Sequence, residues 1–341
     1  MAIAGFGTSQ LRYDMFDLAR SADEARRLAK CENIYHRGQE LAWDGKDVLG
    51  ELLAKHGGVH VDERQRKALE RVFTIILWGE LAAWKISAQL ADRLVPLEAK
   101  MAATSQAMDE ARHFYVMHDY LVALGFKPGR LDRAPQALLD LVLDTDDLAA
   151  KLMGMQLMIE TIALGLFQAV REAKVEPVLT ELLRYYERDE ARHVGLGMQF
   201  LPTLLAAMSR REGVRLVTFQ IRLMYWALTE LQLVRDDFVT LGVDPRQIID
   251  SVRKKQLAGL GVAYAAAGIP FDRERNVAAM SLNAVVELMF PPAPAPLAHR
   301  ARAAWDAFWR RSEPGAADAF DVHRHTIRTA RGVVATAADD L

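Results

Sequence analysis

The pentapeptide Asp-Glu-Ala-Arg-His occurs twice in this chain of 341 residues, at Asp109 to His113 and at Asp189 to His193, and each copy follows a lone glutamate thirty residues upstream, Glu80 and Glu160. No other feature restricts the fold as much. On a helix, positions i and i+3 share a face, so Glu110 with His113, and Glu190 with His193, each aim at one spot. Two such helices facing two that each bring a single glutamate gather four carboxylates and two imidazoles, a charge that two divalent cations cancel. Oxygen donors mixed with imidazole favour iron or manganese over thiolate-binding metals. The layout reads as a carboxylate-bridged metal pair.

One isolated copy of the pentapeptide also suits a charged, solvent-facing helical patch. Duplication and the surroundings of the lone glutamates argue against that. Glu80 lies in Ile75-Ile-Leu-Trp-Gly-Glu-Leu-Ala-Ala-Trp84 and Glu160 in Met158-Ile-Glu-Thr-Ile-Ala-Leu164, where an exposed carboxylate is hard to place. Burying an ion costs several kcal/mol even after relaxation, against a total stability of about 5 to 15 kcal/mol. Several unpaired buried carboxylates are therefore intolerable, and metal, partner cations or protonation must compensate. Asp109 and Asp189, about 100° round the helix from the glutamates beside them, are placed to accept the free ring N–H of a histidine on a facing helix. Arg112 and Arg192 are placed to neutralise them.

Apolar periodicity puts these residues on four long helices. The first runs from Asp62 to Val95, its stripe of Leu69, Val72, Phe73, Ile76 and Leu77 interrupted by Glu80 and continuing through Ala83, Trp84 and Ser87. The others cover Leu97 to Leu124, Leu138 to Ala173 and Val178 to Met208, with Pro96 and Pro177 near their starts, Gly125 as a cap and Pro202 ending or kinking the last. Each is about 45 Å long at 1.5 Å per residue, so every glutamate falls near mid-bundle. The repeated order suggests two helical hairpins related by an approximate twofold axis, with the stretch from Glu110 to Glu160 as crossover.

Residues 1–61 show no sustained period and read as a lead-in packing on the bundle of residues 62–208, although Ser21 looks like a helix start. Residues 209–341 read as additional helices of the same domain: Gly213 to Leu241, Asp244 to Ala267, Phe271 to Met289, His299 to Arg311 and Ala317 to Ala337, with the proline-rich Pro291 to Pro296 as an extended linker. No strand-like alternation is long enough to build a sheet. The fold class is all-α, a four-helix bundle with additional N- and C-terminal helices.

Net charge −2 and a pI near 6.5 leave no electrostatic footprint for nucleic acid or an anionic membrane. The segment Met1 to Gln10 lacks the pattern of a signal peptide, and no membrane span is expected. Cys31, the single cysteine, reads as a small packed hydrophobe, and the expected compartment is the reducing cytosol. Gly5-Phe-Gly7 and Gly259-Leu-Gly261 complete no nucleotide-binding motif. His36, His56, His60 and the pair His323 and His325 read as surface or capping residues, and Met153, Met155 and Met158 as core filler.

With both Asp-Glu-Ala-Arg-His copies and both lone glutamates in place, residues 62–208 resemble the ferritin-like superfamily of non-haem di-iron carboxylate proteins, and within it the oxygen-activating oxidases and oxygenases. The paired form is similar to that of the bacterial multicomponent monooxygenases and the aerobic cyclase of chlorophyll synthesis. That resemblance implies Glu80, Glu110, His113, Glu160, Glu190 and His193 as ligands of two iron ions, or of a Mn/Fe pair, with Glu110 and Glu190 bridging. It further implies the pairs Asp109 with His193 and Asp189 with His113. The implied function is O2-dependent oxidation of an organic, apolar substrate, with an external electron donor because the chain has no flavin or Fe–S motif, and with a homodimer as the usual assembly. The alternative is a ferroxidase or iron-handling protein without organic substrate.

Several positions depart from particular relatives. Met117 stands where the ribonucleotide reductase small subunit keeps its radical tyrosine, and Ala83 and Met155 where the ligand-binding oxidases form a crosslink. Leu164 replaces the threonine of the soluble monooxygenases. Tyr186 replaces the seventh-ligand histidine of the arylamine oxygenases and is expected to hydrogen-bond near the metals.

Overall fold

A computed structural model describes residues 18–126, 129–269, 277–310, 328–329 and 332–333. The helices, in chain order, are α1 (Leu18–Arg27), α2 (Ala29–Glu40), α3 (Gly45–His56), α4 (Glu63–Arg93), α5 (Leu97–Ala123), α6 (Arg133–Asp144), α7 (Leu148–Leu152), a π-helical segment (Met153–Ile159) and α8 (Glu160–Ala173). Then follow α9 (Pro177–Ala206), α10 (Arg210–Leu233), α11 (Arg235–Thr240), α12 (Pro245–Ala266), α13 (Val277–Met289) and α14 (Leu297–Trp309). The fold is all-α and is a ferritin-like bundle of α4, α5, α8 and α9. A two-residue antiparallel ladder, Arg328–Thr329 with Gly332–Val333, is the one strand pairing among the described residues.

Helix ends follow local chemistry. Asp62 closes a capping box with Gln65 at the start of α4, and Ser209 does so with Glu212 at the start of α10. Pro177 occupies the first turn of α9, where its missing N–H is not needed. Gly57 ends α3 at φ 70°, a left-handed cap open to glycine.

The same register governs all four bundle helices. Along α4, Leu69, Phe73 and Leu77 belong to one apolar cluster, while Ile86 and Leu90 belong to another. Along α5, along the π segment continued by α8, and along α9 the division recurs, with Ala102, Met153 and Leu201 in the second cluster and Tyr120, Phe167 and Leu182 in the first. Glu80, Glu110, Glu160 and Glu190 lie in the gaps between, each at most 5% exposed. The buried polar band is thus sandwiched lengthwise by two hydrocarbon cores.

Five expectations need correction. The helix expected from Leu138 to Ala173 is broken: Thr145 is extended at ψ 135°, and Asp147 starts a new helix by accepting from the N–H groups of Ala149 and Ala150. Its next two turns are π-helical. The lead-in, read as lacking a period, forms three short helices whose lengths of 10 to 12 residues defeat a periodicity argument. The stretch from Gly213 to Leu241 breaks at Val234. Trp84, placed on the buried stripe, is 40% exposed, because the apolar face of α4 runs instead through Ala83, Ile86 and Ser87. Pro202 lies inside α9 without ending it. Ladder residues Arg328, Thr329, Gly332 and Val333 stand where a helix from Ala317 to Ala337 is expected; the rest of that helix, Gly5-Phe-Gly7, the start of the helix at Phe271, and His323 and His325 lie outside the described residues.

The stretch Leu148–Ala173 has the length and mean hydropathy, 1.4, of a membrane span, but 72% of its apolar window is buried inside the fold. It is the inner helix of the bundle. Its close approach to α9 depends on Gly197, where an added Cβ would sit 2.8 Å from the Cβ of Gln156 and 3.1 Å from Leu157. Gly197→Ala is expected to destabilise the fold by about 1 to 2 kcal/mol in urea unfolding, the overpacking outweighing the better helix propensity of alanine. An unchanged or raised midpoint would show that α9 can move away from the π segment at no cost.

Candidate metal centre

Glu80 from α4, Glu110 and His113 from α5, Glu160 from α8, and Glu190 and His193 from α9 converge at one place. Two overlapping donor sets result: Glu80, Glu110, His113 and Glu190, and Glu110, Glu160, Glu190 and His193, with the ligand atoms of each set within 4.8 Å of one another. Glu110 and Glu190 belong to both sets, as bridging residues must. His193 Nδ1 lies 2.9 Å from Glu110 and 3.1 Å from Glu190, and His113 Nδ1 lies 3.2 Å from Glu190 and 3.4 Å from Glu80 and from Glu110.

The other imidazole nitrogen points outward. His113 Nε2 meets Asp189 Oδ2 at 3.3 Å and His193 Nε2 meets Asp109 Oδ2 at 3.3 Å, the same crossed arrangement twice. An Asp accepting the Nε2 proton leaves the Nδ1 lone pair facing the carboxylates, the tautomer a metal requires. Arg192 bonds Asp109 at 2.9 Å and Asp189 at 2.8 Å, while Arg112 bonds Asp189 at 3.0 Å and also Asp109. The outer layer of two aspartates and two arginines is neutral by itself, so it lends no charge to the inner four glutamates.

Those four shape the electrostatics. Burial pushes the Glu80 and Glu160 carboxyls well above the usual range, reinforced at Glu160 by the charges of Glu190 and Glu110. Burial also opposes ionisation of Glu110, but His193 and His113 outweigh it and hold that carboxyl low. Both histidines rise well above their ordinary value despite burial: at His113 through hydrogen bonds led by Asp189, and at His193 through the charges of Glu110 and Glu190. Protons thus take the place of missing positive charge. Glu110 Oε2, Glu190 Oε1 and His113 Nδ1 are buried with no hydrogen bond of acceptable geometry. Orphaned donor atoms aimed into one spot, hard in character and carrying a net negative charge, fit a pair of divalent cations.

Sequence reasoning missed two participants. Gln106 is buried and donates to Glu110 at 3.1 Å and to Glu160 at 2.8 Å, with Gln156 of the π segment donating to its carbonyl at 3.4 Å. Its position four residues before Glu110 was a readable signal, since i and i+4 share a face. Trp43, between α2 and α3, donates Nε1–H to Asp189 at 2.7 Å, and Arg112 lies 4.8 Å over its ring. Nothing in the aperiodic lead-in marks it. Tyr186 stacks on His113 at 4.3 Å but donates its hydroxyl to the His113 carbonyl at 2.7 Å, so its hydrogen bond goes to the backbone rather than toward the metal side. Of the remaining histidines, His56 pairs with Glu181 at 2.9 Å and His60 contacts the Gly57 carbonyl at 2.9 Å, both away from the cluster. Cys31 is buried, and burial pushes its thiol up to about 12.

Opposite the Asp and Arg layer, Glu80 and Glu160 line an apolar cavity of about 150 Å³. Its walls come from α4, α6, α8, α10 and α12, among them Ile76, Leu139, Ile162, Leu228 and Val252. The chain outside the bundle is therefore divided by role: α2 and α3 cover the polar side of the cluster, while α10 and α12 enclose hydrocarbon space on the other.

Fold and cluster together define a ferritin-like helical bundle with a buried carboxylate and histidine cluster suited to a metal centre. No protein-family model and no curated protein matches the chain. Among solved structures it is similar to a protein from Synechococcus with aldehyde deformylating oxidase activity, at 19% identity and a TM-score of 0.52, over 59% of this chain and 92% of that one. Two variants of an R2-like ligand-binding oxidase with an aerobically reconstituted Mn/Fe cofactor match at 16% identity, with TM-scores of 0.49 and 0.48, over 70% of this chain and 94% and 93% of theirs. The first of these likenesses establishes the helical-bundle fold.

Proposed function

We propose that this protein is an O2-dependent non-haem di-iron oxidase or oxygenase acting on an apolar organic molecule held in the cavity beside Glu80 and Glu160. The observation that carries the reading is the junction of two donor sets sharing Glu110 and Glu190 with a hydrocarbon-lined cavity that reaches the cluster only through its two unshared glutamates. Glu80, Glu110, His113 and Glu190 would hold one metal, and Glu110, Glu160, Glu190 and His193 the other; the same set admits a Mn/Fe pair. When bound, such a pair supplies reduction of O2 coupled to oxidation of the substrate.

The chain's own residues supply the rest. Asp109 and Asp189 hold the histidine Nε2 protons outward. Gln106 fixes the carboxylates of Glu110 and Glu160 relative to each other, so that two ligands from different helices keep one geometry. The apolar walls exclude water from the reacting face. Electrons come from an external donor, since the chain carries no motif for a flavin or an Fe–S cluster.

The test is anaerobic addition of Fe(II) followed by O2. A transient absorbance and iron held at about two ions per chain after desalting are expected. Loading far beyond that ratio would identify an iron-storing protein, and no retained iron would end the metal reading altogether.

A further inference from the structure

The cavity lining holds three polar side chains that the metal centre does not use, and only one of them makes no hydrogen bond or ion pair among the described residues. Besides Glu80 and Glu160, its lining includes Glu230 of α10 and Arg253 and Gln256 of α12. Arg253 donates to Asn283 Oδ1 at 2.6 Å and lies 3.7 Å from Asp250, and Gln256 donates to the Met158 carbonyl at 3.3 Å. The Glu230 carboxyl has no hydrogen bond or ion pair among the described residues. Ala227, Leu228, Leu231 and Val234, the lining residues around it, offer only carbon.

Glu230 is half-buried by surface area and its carboxyl opens on the cavity, so its cost falls when an occupant of that space offers it a partner. Burial pushes it up to about 8 with no charged neighbour contributing, so at neutral pH it is mostly a neutral acid with an O–H to give, and it stands apart from the charges of Glu80 and Glu160. A neutral carboxyl donates one hydrogen bond and accepts another. A hydroxyl or carbonyl oxygen brought by an occupant satisfies it; a plain hydrocarbon does not. A site built to hydrogen-bond a substrate group discriminates strongly against analogues lacking it, because its own polar atoms are otherwise left unpaired.

We propose that Glu230 is the specificity-determining residue of the cavity, selecting a small apolar molecule that carries one hydroxyl or carbonyl oxygen and presenting its hydrocarbon part to Glu80 and Glu160. This rests on the reading of the cavity as the substrate pocket. A cavity of about 150 Å³ takes a ring the size of benzene, which sets the probes.

Metal-free full-length protein is titrated calorimetrically with toluene, benzyl alcohol and benzylamine, for wild type, Glu230→Leu and Glu230→Gln. In Glu230→Leu the affinity for benzyl alcohol relative to toluene is expected to fall about tenfold, with toluene itself held at least as well as in wild type. Glu230→Gln, which keeps a donor and an acceptor, is expected to restore the ratio to within about threefold. An unchanged ratio in Glu230→Leu, a wild-type preference for benzylamine, or failure of wild type to bind any of the three overturns the assignment. Iron content measured on the same variants separates the two readings: it stays at the wild-type level if only the selectivity assignment is wrong, whereas a wild type that retains no iron removes the oxidase and leaves the alcohol preference standing.

Discussion

Glu190→Ala is expected to reduce retained iron from about two ions per chain to below one, measured by elemental analysis after anaerobic loading and desalting. Glu190 belongs to both donor sets, so its loss leaves each metal a donor short and removes one of the two shared carboxylates at a stroke. It also strips His113 Nδ1 of a contact at 3.2 Å and His193 Nδ1 of one at 3.1 Å. Loss of a residue serving one site alone would spare the other. Wild-type iron content in Glu190→Ala would refute the ligand assignment, whatever the activity.

Glu160→Gln is expected to move stability and metal retention in opposite directions. Without metal, the Glu160 carboxyl is buried and faces the charges of Glu190 and Glu110. The amide keeps the shape and cannot ionise, so it removes a cost that grows as rising pH takes the proton from the buried carboxyl. Its pH dependence has a definite sign. The folded-state pKa is raised above the ordinary value of 4.5, so its stabilising protonation is fully present below that value and is lost as pH rises toward the raised one. Stability of metal-free wild type to urea should therefore fall as pH rises above about 4.5, and Glu160→Gln should flatten part of that slope while lowering retained metal. A metal-free Glu160→Gln protein no more stable than wild type at pH 8 would mean that Glu160 is already compensated and is not held in readiness for a cation. Sites that trade stability for function in this way are common, because the groups a ligand needs are costly while it is absent.

Much of this was legible along the chain. Glu110 with His113 and Glu190 with His193 are three residues apart, so any helix aims each pair at one spot, and the apolar neighbours of Glu80 and Glu160 leave those carboxylates nowhere to go but inward. Three of the four long helices follow from periodic apolar stripes started by Asp62, Pro96 and Pro177, whose effects are local, whereas the break at Thr145 inside the expected third helix left no mark on the apolar pattern. Short helices in the lead-in were not legible, since 10 to 12 residues give too few turns for a period to emerge.

What the chain alone determined, then, is the all-α class, the burial of Glu80 and Glu160 and the clustering of donors on each helix, because each depends on neighbours within a few turns. Only the tertiary structure decided the rest. It set the π turns at Met153–Ile159 packed on Gly197, the arrival of Trp43 beside Asp189, and the placing of α10 and α12 around the cavity that Glu230 lines. Each of these joins residues far apart along the chain. Which distant surfaces meet is settled by how whole helices pack, and no local period records it.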